Sequence, residues 1–348
     1  MVRGFKTLKR GALAYLYYKI GRPKLVSAVF YVTARCNLRC VFCSRWKKNE
    51  GELTKDEALK VIDKLCDAGV TYINYSGGEP LLRDDLEEIA SRSKDYGCIN
   101  TLSTNGTLIT PTRAKSLGKV FDGITVSLDG FEDVHDRTRG IKGTYLRALK
   151  GLKYLKKYSG VNVGIATTIY GENWASVIKL FKRLEGLVDY VSFQPIGGTL
   201  ERPYPPVKEL SVPTGKVSEL VEELSSFKRV KGGYIVDPLW FIKGLEDYFK
   251  GEMKVKLCDA GRLYIGVNWR GELMLCPIRE DTIAGSLLKR DLNELLAQNS
   301  AWDKVRKCPG CWSQCTTIIS MIFRHRLKET LLDIKDMIGN WSSKCLAV

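Results

Sequence analysis

Short apolar runs alternate with amphipathic segments between residues 26 and 195. The runs are rich in β-branched residues and predict six strands, which cover residues 26–32, 70–75, 98–103, 123–128, 161–169 and 190–193. Apolar residues spaced three or four apart predict helices between them, at residues 54–66, at 84–94, from Thr110 and Pro111 onward, at 145–157 and at 173–184. Thr54 and Glu57 have the spacing of a capping box at the first helix.

Strands that are each separated by one helix predict a parallel sheet with right-handed crossovers. The six units fit a doubly wound sheet or an incomplete barrel, and both bind ligands at the carboxyl ends of their strands. Chemically notable residues follow four of the strands: cysteines at 36–43, a Gly-Gly-Glu-Pro segment at 77–80, Thr104 with Asn105, and Asp129. We therefore expect a site at this edge.

Composition sets the class of protein. The chain has 348 residues, 44% hydrophobic and 27% charged, which is typical of a globular protein of about two domains. Its 11 cysteines and 2 histidines favour a thiolate site over a histidine site. The start lacks a signal-peptide pattern and no apolar run approaches ~20 residues, so we expect a cytoplasmic chain whose cysteines serve metal binding or catalysis.

Four further residues receive simpler interpretations. Cys66 falls on the apolar face of its helix and Cys98 begins a strand, so both are expected to be core thiols. His135 and His325 are expected in loops or at the surface.

The net charge of +16 is concentrated in part at the start of the chain. Residues 1–25 contain seven basic and no acidic side chains among leucines and tyrosines, which predicts a basic amphipathic helix. It either packs on the protein body or rests peripherally on an anionic membrane. The basic charge also suits an acidic substrate or nucleic acid, although no regular aromatic stripe supports nucleic acid.

The most informative motif is Cys36-x3-Cys40-x2-Cys43, directly after the first predicted strand. Three closely spaced thiolates can bind three irons of a cubane cluster and leave the fourth iron open to another ligand. A zinc site is the alternative, but the loop offers no fourth ligand to complete it. We therefore interpret these cysteines as catalytic.

With Phe42 and the segment Gly77-Gly78-Glu79-Pro80, this motif resembles the radical S-adenosylmethionine (SAM) superfamily over about residues 26–200. The resemblance implies an α/β fold, a partial (β/α)6 TIM-like barrel, with SAM and a [4Fe-4S] cluster as cofactors. It also implies reductive cleavage of SAM to a 5′-deoxyadenosyl radical that abstracts a substrate hydrogen atom. An electron donor such as ferredoxin or flavodoxin would supply the electron.

The resemblance and the strand ends together predict the SAM site. Glycines allow close backbone approach, Glu79 carries a carboxylate suited to an ammonium, and Arg139 suits the SAM carboxylate. Ser127 and Asp129 are placed for the ribose or the methionine moiety, and the residues after the sixth strand for adenine. The predicted cofactor-binding residues are Gly77, Gly78, Glu79, Pro80, Thr104, Asn105, Ser127, Asp129, Arg139, Gln194 and Ile196.

The remaining cysteines predict a smaller domain. A Pro-rich stretch at 202–206 marks a boundary, so we divide the chain into the N-terminal helix (1–25), the barrel (26–206), a helical connector (207–256) and a cysteine-rich Fe–S domain (257–348). The spacing Cys258-x12-Gly271-x4-Cys276 resembles the SPASM/twitch extensions of radical SAM enzymes.

The later cysteines depart from the full SPASM pattern, because only three stand together. We favour one auxiliary [4Fe-4S] cluster bound by Cys258, Cys276, Cys308 and Cys311. A second cluster that uses Cys315 and Cys345 is left open, and a zinc ribbon is the alternative.

These observations favour a radical SAM enzyme of unknown substrate, with an anionic small molecule or lipid slightly preferred. A maturase of ribosomal peptides or cofactor precursors is the alternative within this class. A zinc-binding basic nucleic-acid-binding protein is the alternative from another class, and a SAM-binding electron-transfer protein is a third.

Overall fold

The computed structural model describes residues 2–48, 51–197, 208–253, 257–297 and 300–325. Its helices are α1 Val2–Lys19, α2 Lys55–Asp67, α3 Leu86–Asp95, α4 Pro111–Val120, α5 Glu132–Arg139, α6 Thr144–Tyr158, α7 Val177–Arg183, α8 Val217–Lys231, α9 Leu239–Lys250, α10 Leu292–Ala297, α11 Ala301–Arg306 and α12 Ile319–Arg324. Its strands are β1 Ser27–Tyr31, β2 Tyr72–Ser76, β3 Ile99–Thr104, β4 Gly123–Ser127, β5 Asn162–Ile169, β6 Tyr190–Pro195, β7 Tyr264–Val267, β8 Glu272–Met274 and β9 Ile283–Ser286.

The strands of the described residues form one sheet in the order β6-β5-β4-β3-β2-β1-β7-β8-β9. Strands β1 to β6 pair in parallel with their sequence neighbours, as the alternating pattern predicts. The sheet has two unlike faces, because side chains alternate along each strand. Ala28 and Phe30 of β1 belong to the fully buried core with Ile73 and Tyr75 of β2.

Local signals fix several helix boundaries. Thr54 accepts from the backbone N–H of Glu57 while the Glu57 carboxylate accepts from the Thr54 backbone, so the predicted capping box is present. Thr110 caps α4, with Pro111 at its first position. The helix expected over 173–184 is a 3₁₀ turn followed by the shorter α7.

The C-terminal strands continue the barrel sheet. β7 pairs in parallel with β1, so Ser27 lies opposite Tyr264, and β8 returns antiparallel to β7. Gly271 makes this turn in the left-handed region at φ 72°, and its place agrees with the predicted turn before Cys276. Strands β7 to β9 thus belong to the same sheet as the barrel strands, although we placed a domain boundary at residue 257. The domain boundaries stay predictions.

The segment around residue 312 docks on α9. The Trp312 ring stacks on Phe241 with centroids 5.5 Å apart, and its Nε1–H donates to the Phe241 carbonyl at 2.9 Å. Gly244 faces this indole, since a Cβ built there would lie 2.0 Å from Trp312 Cζ2. The helical connector and the cysteine-rich segment therefore share one contact surface.

Helix α1 contacts the C-terminal segment through its aromatic side chains. Tyr15 and Tyr18 lie against Phe323, with ring centroids 6.1 and 5.7 Å apart, while Leu16 and Ile20 are exposed. This contact agrees with the interpretation in which the helix packs on the body. Within the residues described above, we find no helix with the length and apolar character of a membrane span.

Candidate active site

The three cysteines of the first motif lie on one loop after β1 and differ in exposure. Cys36 and Cys40 are partly buried and Cys43 is exposed. The backbone N–H of Arg39 donates to the Arg139 carbonyl and that of Val41 to the Thr138 carbonyl, at 3.0 and 2.9 Å. The loop is thereby tied to the end of α5.

Burial governs the acidity of two of these thiols. It raises the pKa of Cys36 to about 12. It also raises the pKa of Cys40, although the Arg139 guanidinium, whose Nη1 lies 3.6 Å from Cys40 Sγ, acts in the opposite direction. Without a bound metal these thiols hold their protons at neutral pH, and a metal would have to displace them.

The paired glycines after β2 allow close contact between two backbone segments. A Cβ on Gly77 would lie 2.5 Å from the Thr33 carbonyl oxygen, and a Cβ on Gly78 would lie 2.1 Å from that of Arg35. The Gly78 N–H donates to the Thr33 carbonyl at 2.8 Å. The two glycines therefore allow residues 77–78 to pass close to the backbone of residues 33–35, which lead from β1 into the cysteine loop. This reason for the glycines was not apparent from the sequence.

Glu79 is fully engaged by the protein. Its carboxylate accepts from the Thr104 hydroxyl at 2.6 Å, from the Asn105 N–H at 2.7 Å and from the Leu81 N–H at 3.0 Å. Burial raises the pKa of Glu79 despite these hydrogen bonds. The side chain therefore joins the ends of β2 and β3, and its expected bond to an ammonium stays a prediction.

Arg139 and Asp129 form a buried ion pair at the end of β4, with Nε 2.6 Å from Oδ2. Burial alone would lower the pKa of Arg139, but Asp129 and Cys40 raise it, so the guanidinium stays charged. Asp129 Oδ1 also accepts from the Thr168 N–H at 2.9 Å. This carboxylate therefore orients the arginine that borders Cys40.

His135 is not a loop or surface residue, which corrects our expectation. It lies in α5 with 1% of its surface exposed, and its Nδ1 accepts from the Asp129 N–H at 3.1 Å. Burial lowers the pKa of His135 to about 4, so the ring is neutral. His325 lies in a bend after α12 and is partly buried.

The cysteine loop and the strand ends border one cavity of about 170 Å³. Predicted residues that line it are Cys36, Cys40, Cys43, Gly77, Gly78, Thr104, Asn105, Ser127 and Arg139. Residues that line it and that we did not predict are Leu38, Arg45, Trp46, Ser76 and Ser103. Ser76 ends β2, and Ser103 directly precedes Thr104, the last residue of β3, so the rule that we applied to Thr104 could have identified them.

Other predicted cofactor residues lie outside the set that lines this cavity: Glu79, Pro80, Asp129, Gln194 and Ile196. The Ile196 side chain is buried in the core, and its carbonyl accepts from the Tyr248 hydroxyl at 2.9 Å. The structure thus places Ile196, which directly follows β6, in the hydrophobic core and not in the lining of the cavity.

Arg45 is a buried cation that lines the cavity and that the sequence did not lead us to predict. Its side chain is 6% exposed, and its guanidinium lies 4.0 Å from the ring centroid of Tyr31 and 5.4 Å from that of Trp269. Nη1 is buried without a hydrogen bond, since Glu280 Oε1 is 3.9 Å away. Arg45 thus lies between the cysteine loop and the β7–β8 hairpin.

A second group of cysteines collects behind β7. Cys258, Cys276, Cys311 and Cys315 share one small apolar cluster with Tyr264. Burial raises the pKa of Cys276 and Cys315 and raises that of Cys311 to about 12. Hydroxyls contact three of the four sulfurs, as in the 3.2 Å contact of Cys315 Sγ with Ser313 Oγ, while a backbone N–H donates to Cys276.

Cys308 lies at the margin of this group, where its thiol bonds to the Arg279 side chain. Cys345 lies outside the described residues. Across the described ranges, no three Cys, His, Asp or Glu side chains converge on a point that could hold one metal ion. Cys66 and Cys98 are buried apart from both groups, with their sulfurs 3.5 Å apart.

The donor set fits a thiolate-ligated cluster at the first site. Three thiols on one loop, three serine hydroxyls, a close backbone approach and two charged arginines border the same cavity. Each thiolate of a cubane binds a different iron, so three cysteines around an open cavity match three of its corners. The second group offers at least four thiols in an apolar setting.

Comparison with known proteins agrees with this geometry. Residues 30–184 match the family described as the Radical SAM superfamily. The chain carries a radical SAM domain. Members of this family bind SAM and a [4Fe-4S] cluster, and relatives of the SPASM type carry auxiliary clusters.

The chain is similar to several curated enzymes. It is 38% identical over 171 residues to the Fe-coproporphyrin III synthase of Methanosarcina barkeri, which covers 48% of this chain and 43% of that protein. It is 26% identical over 269 residues to the PqqA peptide cyclase of Granulibacter bethesdensis, over 73% of this chain and 68% of that one. The chain spans about half the length of the first curated relatives that it matches.

The fold is also that of solved radical SAM proteins. anSMEcpe with bound AdoMet and Cp18Cys peptide superposes with a TM-score of 0.65 at 18% identity, over 90% of this chain and 96% of that one. At this identity the likeness concerns the fold, and it confirms the predicted partial (β/α)6 barrel.

Proposed function

We propose that this chain is a radical SAM enzyme in which Cys36, Cys40 and Cys43 bind three irons of a [4Fe-4S] cluster. Bound there, the cluster and SAM would supply a 5′-deoxyadenosyl radical that takes a hydrogen atom from the substrate. The observation that carries the proposal is that these cysteines, Gly77 with Gly78, and Arg139 border one cavity.

We assign different parts of the SAM molecule to different residues of the chain. Arg139 offers a positive charge for the SAM carboxylate. Asp129 pairs with its Nε, and its Nη1 lies beside Cys40, so the position of the guanidinium is fixed. Thr104, Asn105 and Ser127 offer hydrogen-bonding groups along the cavity wall. Glu79 acts through Thr104 and Asn105, by holding the ends of β2 and β3 together.

For the second group we propose one auxiliary [4Fe-4S] cluster bound by Cys258, Cys276, Cys308 and Cys311. The apolar surroundings of Cys258, Cys276 and Cys311 support a buried cluster. Cys315 belongs to the same apolar group and Cys308 to its margin, so Cys315 competes with Cys308 for the fourth place.

A single experiment tests both clusters. The protein is reconstituted with iron and sulfide under anaerobic conditions, its iron is counted, and 5′-deoxyadenosine is measured after SAM and dithionite are added. Cys40→Ala should lose the iron of one cluster and all SAM cleavage. Cys276→Ala should lose the iron of the other cluster only. The core variant Cys66→Ala should keep both, and loss of cleavage without loss of iron in Cys40→Ala would contradict the assignment.

For the substrate we propose an anionic small molecule. The charged side chains that line the cavity are Arg45 and Arg139, and both are cationic. Arg139 is engaged by Asp129, whereas Arg45 keeps a buried Nη1 without a hydrogen bond, which favours Arg45 as the residue that binds a substrate carboxylate. The relative named as an Fe-coproporphyrin III synthase fits such a substrate, and the PqqA peptide cyclase supports a peptide as the second candidate.

The two substrate classes can be distinguished by comparing an anionic ligand with its uncharged ester. Iron coproporphyrin III, a tetracarboxylate, should bind the reconstituted enzyme, and its tetramethyl ester should bind at least about tenfold more weakly. Arg45→Gln should remove this difference. Equal binding of acid and ester to the wild type would favour the peptide candidate.

A further inference from the structure

One side of helix α1 lies on the second group of cysteines. The Tyr18 ring packs against the apolar cluster that contains Tyr264 and the four thiols of this group. Ala14 precedes Tyr18 by one turn and is buried, whereas Leu16 and Ile20 are 60% and 66% exposed. Because side chains four positions apart share a helix face, the buried side of α1 is the side that carries Tyr18.

A buried carboxylate connects α1 with the segment that contains Cys258. Asp259 directly follows this cysteine and is 1% exposed. The Tyr18 hydroxyl lies 3.4 Å from each oxygen of its carboxylate. The Arg324 guanidinium of α12 donates to Asp259 Oδ2 from Nε at 3.2 Å and from Nη2 at 3.1 Å. Asp259 is therefore the point at which α1, α12 and the cysteine segment meet.

The backbone next to Cys258 is held by two hydroxyl groups. The Asp259 N–H donates to the Tyr264 hydroxyl and to Ser320 Oγ, both at 3.0 Å. The Tyr264 hydroxyl also lies 3.6 Å from Cys258 Sγ. Ser320 and Arg324 are one turn apart on α12, so this helix holds both the backbone and the carboxylate of Asp259.

Helix α1 in turn holds the end of α12. The last carbonyls of a helix have no partner within the helix, and here side chains of α1 provide one. Lys19 Nζ donates to the carbonyls of Arg324 and His325 at 3.0 and 2.7 Å, and the Tyr15 hydroxyl donates to the His325 carbonyl at 2.8 Å. A continuous series of contacts thus runs from α1 through α12 to Cys258.

We propose that α1 is a cover of the auxiliary cluster and that Asp259 is the positioning residue through which α1 and α12 fix Cys258. The inference rests on the proposed function, because the auxiliary cluster is itself a proposal. Groups that orient a metal ligand without touching the metal change both the affinity for the metal and its reduction potential. The Tyr18 ring adds a barrier to solvent on the side of the cysteines that α1 contacts.

The test uses the full chain with Cys40→Ala as the parent, so that iron and spectra report on the auxiliary cluster alone. Tyr18→Ala removes the ring that covers the thiols, and Tyr18→Phe keeps it. Tyr17→Ala is the matched control, because the Tyr17 ring belongs to the same helix and contacts the Lys24 ammonium, 4.0 Å from its centroid.

The first measurement is the anaerobic release of iron from the reconstituted chain to bathophenanthroline disulfonate. We expect Tyr18→Ala to release iron about tenfold faster than the parent, because solvent and chelator reach the cluster. Tyr18→Phe and Tyr17→Ala should release it at the parent rate. Faster release from Tyr17→Ala as well would assign the effect to the stability of α1 and contradict the cover.

The second measurement is the reduction potential of the cluster, followed by its electron paramagnetic resonance signal. Arg324→Gln leaves the Asp259 carboxylate uncompensated and should lower the potential. Asp259→Asn leaves the Arg324 guanidinium uncompensated and should raise it. A merely structural role would move both potentials in the same direction. Arg92→Gln is the control, since Arg92 pairs with Asp63 at the surface, at 2.6 Å.

Two results would overturn the proposal. The first is release of iron from Tyr18→Ala at the parent rate. The second is a potential in Arg324→Gln that equals or exceeds that of the parent, and this result is decisive even if Asp259→Asn does not fold. Failure of the proposed function looks different: the parent would then bind no iron, or Cys276→Ala would bind as much iron as the parent.

Discussion

The Arg139 guanidinium lies between a carboxylate and a candidate cluster ligand, with Nε 2.6 Å from Asp129 Oδ2 and Nη1 3.6 Å from Cys40 Sγ. Asp129 and Arg139 are buried, and Cys40 is partly buried. Removing one partner of a buried ion pair leaves an uncompensated charge, which costs about 3 kcal/mol or more. The pair therefore makes the position of this arginine sensitive to a single substitution.

The first prediction concerns this pair. Asp129→Asn and Arg139→Gln should each lower the free energy of unfolding by about 3 kcal/mol, measured by urea denaturation of the purified chain. The double variant contains no unpaired charge and should lose less than the sum of the two single losses. Strict additivity of the losses would show that the two side chains do not interact.

The second prediction concerns the Glu79 carboxylate. Glu79→Gln keeps one oxygen acceptor and turns an amide N–H₂ toward groups that donate, so we expect a loss of about 2 kcal/mol. Thr104→Val removes the hydroxyl that donates to Glu79 at 2.6 Å and accepts from the Gly106 N–H at 3.1 Å, and the free energy of unfolding should fall by about 1–2 kcal/mol. Urea denaturation checks both values. A Glu79→Gln variant as stable as the wild type would show that this carboxylate does not hold the strand ends.

The third prediction concerns the stability of the protein at acidic pH and its dependence on His135. The folded protein keeps His135 neutral down to about pH 4, while an unfolded histidine takes up its proton near pH 6.5. The unfolded state therefore binds more protons between these values, and stability falls as the pH is lowered from about 6.5 to 4. His135→Asn keeps an acceptor for the Asp129 N–H and should remove about 1 kcal/mol or more of this fall.

The fourth prediction has the opposite sign. Burial raises the pKa of Asp237 to about 7, although the Phe193 N–H and the Gln314 amide donate to its carboxylate. The folded state holds a proton that the unfolded state has released, so this group makes stability fall as the pH rises from about 4 to 7. Asp237→Asn should abolish that part of the profile, because the Gln314 amide can turn to accept from the new N–H₂. Unfolding free energies measured every half unit from pH 4 to pH 8 separate it from the effect of His135.

The strands and helices up to residue 195 could be predicted because their apolar patterns are local. Helix α5 was missed: Glu132–Arg139 contains one aliphatic residue, Val134, so it lacks a helical repeat. Its signal was Gly140, which ends it in the left-handed region at φ 72°. The pairing of β1 with β7 joins residues more than 200 positions apart, and no local pattern specifies such a partner.

The candidate site was predictable where residue type alone determines the chemistry, as for the three cysteines. It was not predictable where the role of a residue depends on the residues that contact it in the fold. The sequence suggested an ammonium as the partner of Glu79, and it gave no sign that Thr104 and Asn105 donate to its oxygens. Arg45 was not predicted at all, because its position beside the cavity depends on the rings of Tyr31 and Trp269, which are distant in sequence.

The fifth prediction concerns the contact between α9 and the cysteine-rich segment. An alanine at Gly244 would place its Cβ 2.0 Å from Trp312 Cζ2, so the indole must move off Phe241. Although alanine favours a helix over glycine, we expect the clash to cost about 1–3 kcal/mol. Gly215→Ala is the control, because no atom lies within 4 Å of a Cβ built there.

Stability alone would not locate the effect of Gly244→Ala, so thiol labelling is the decisive measurement. Cys311 and Cys315 flank Trp312 in sequence and are partly buried. If the indole holds this segment on α9, the variant should expose them, and a thiol reagent should label them faster in the metal-free protein while Cys66 and Cys98 label as in the wild type. If all four cysteines of the variant are labelled at their wild-type rates, another contact, such as the hydrogen bond from Gln314 to Asp237, is sufficient to hold the segment.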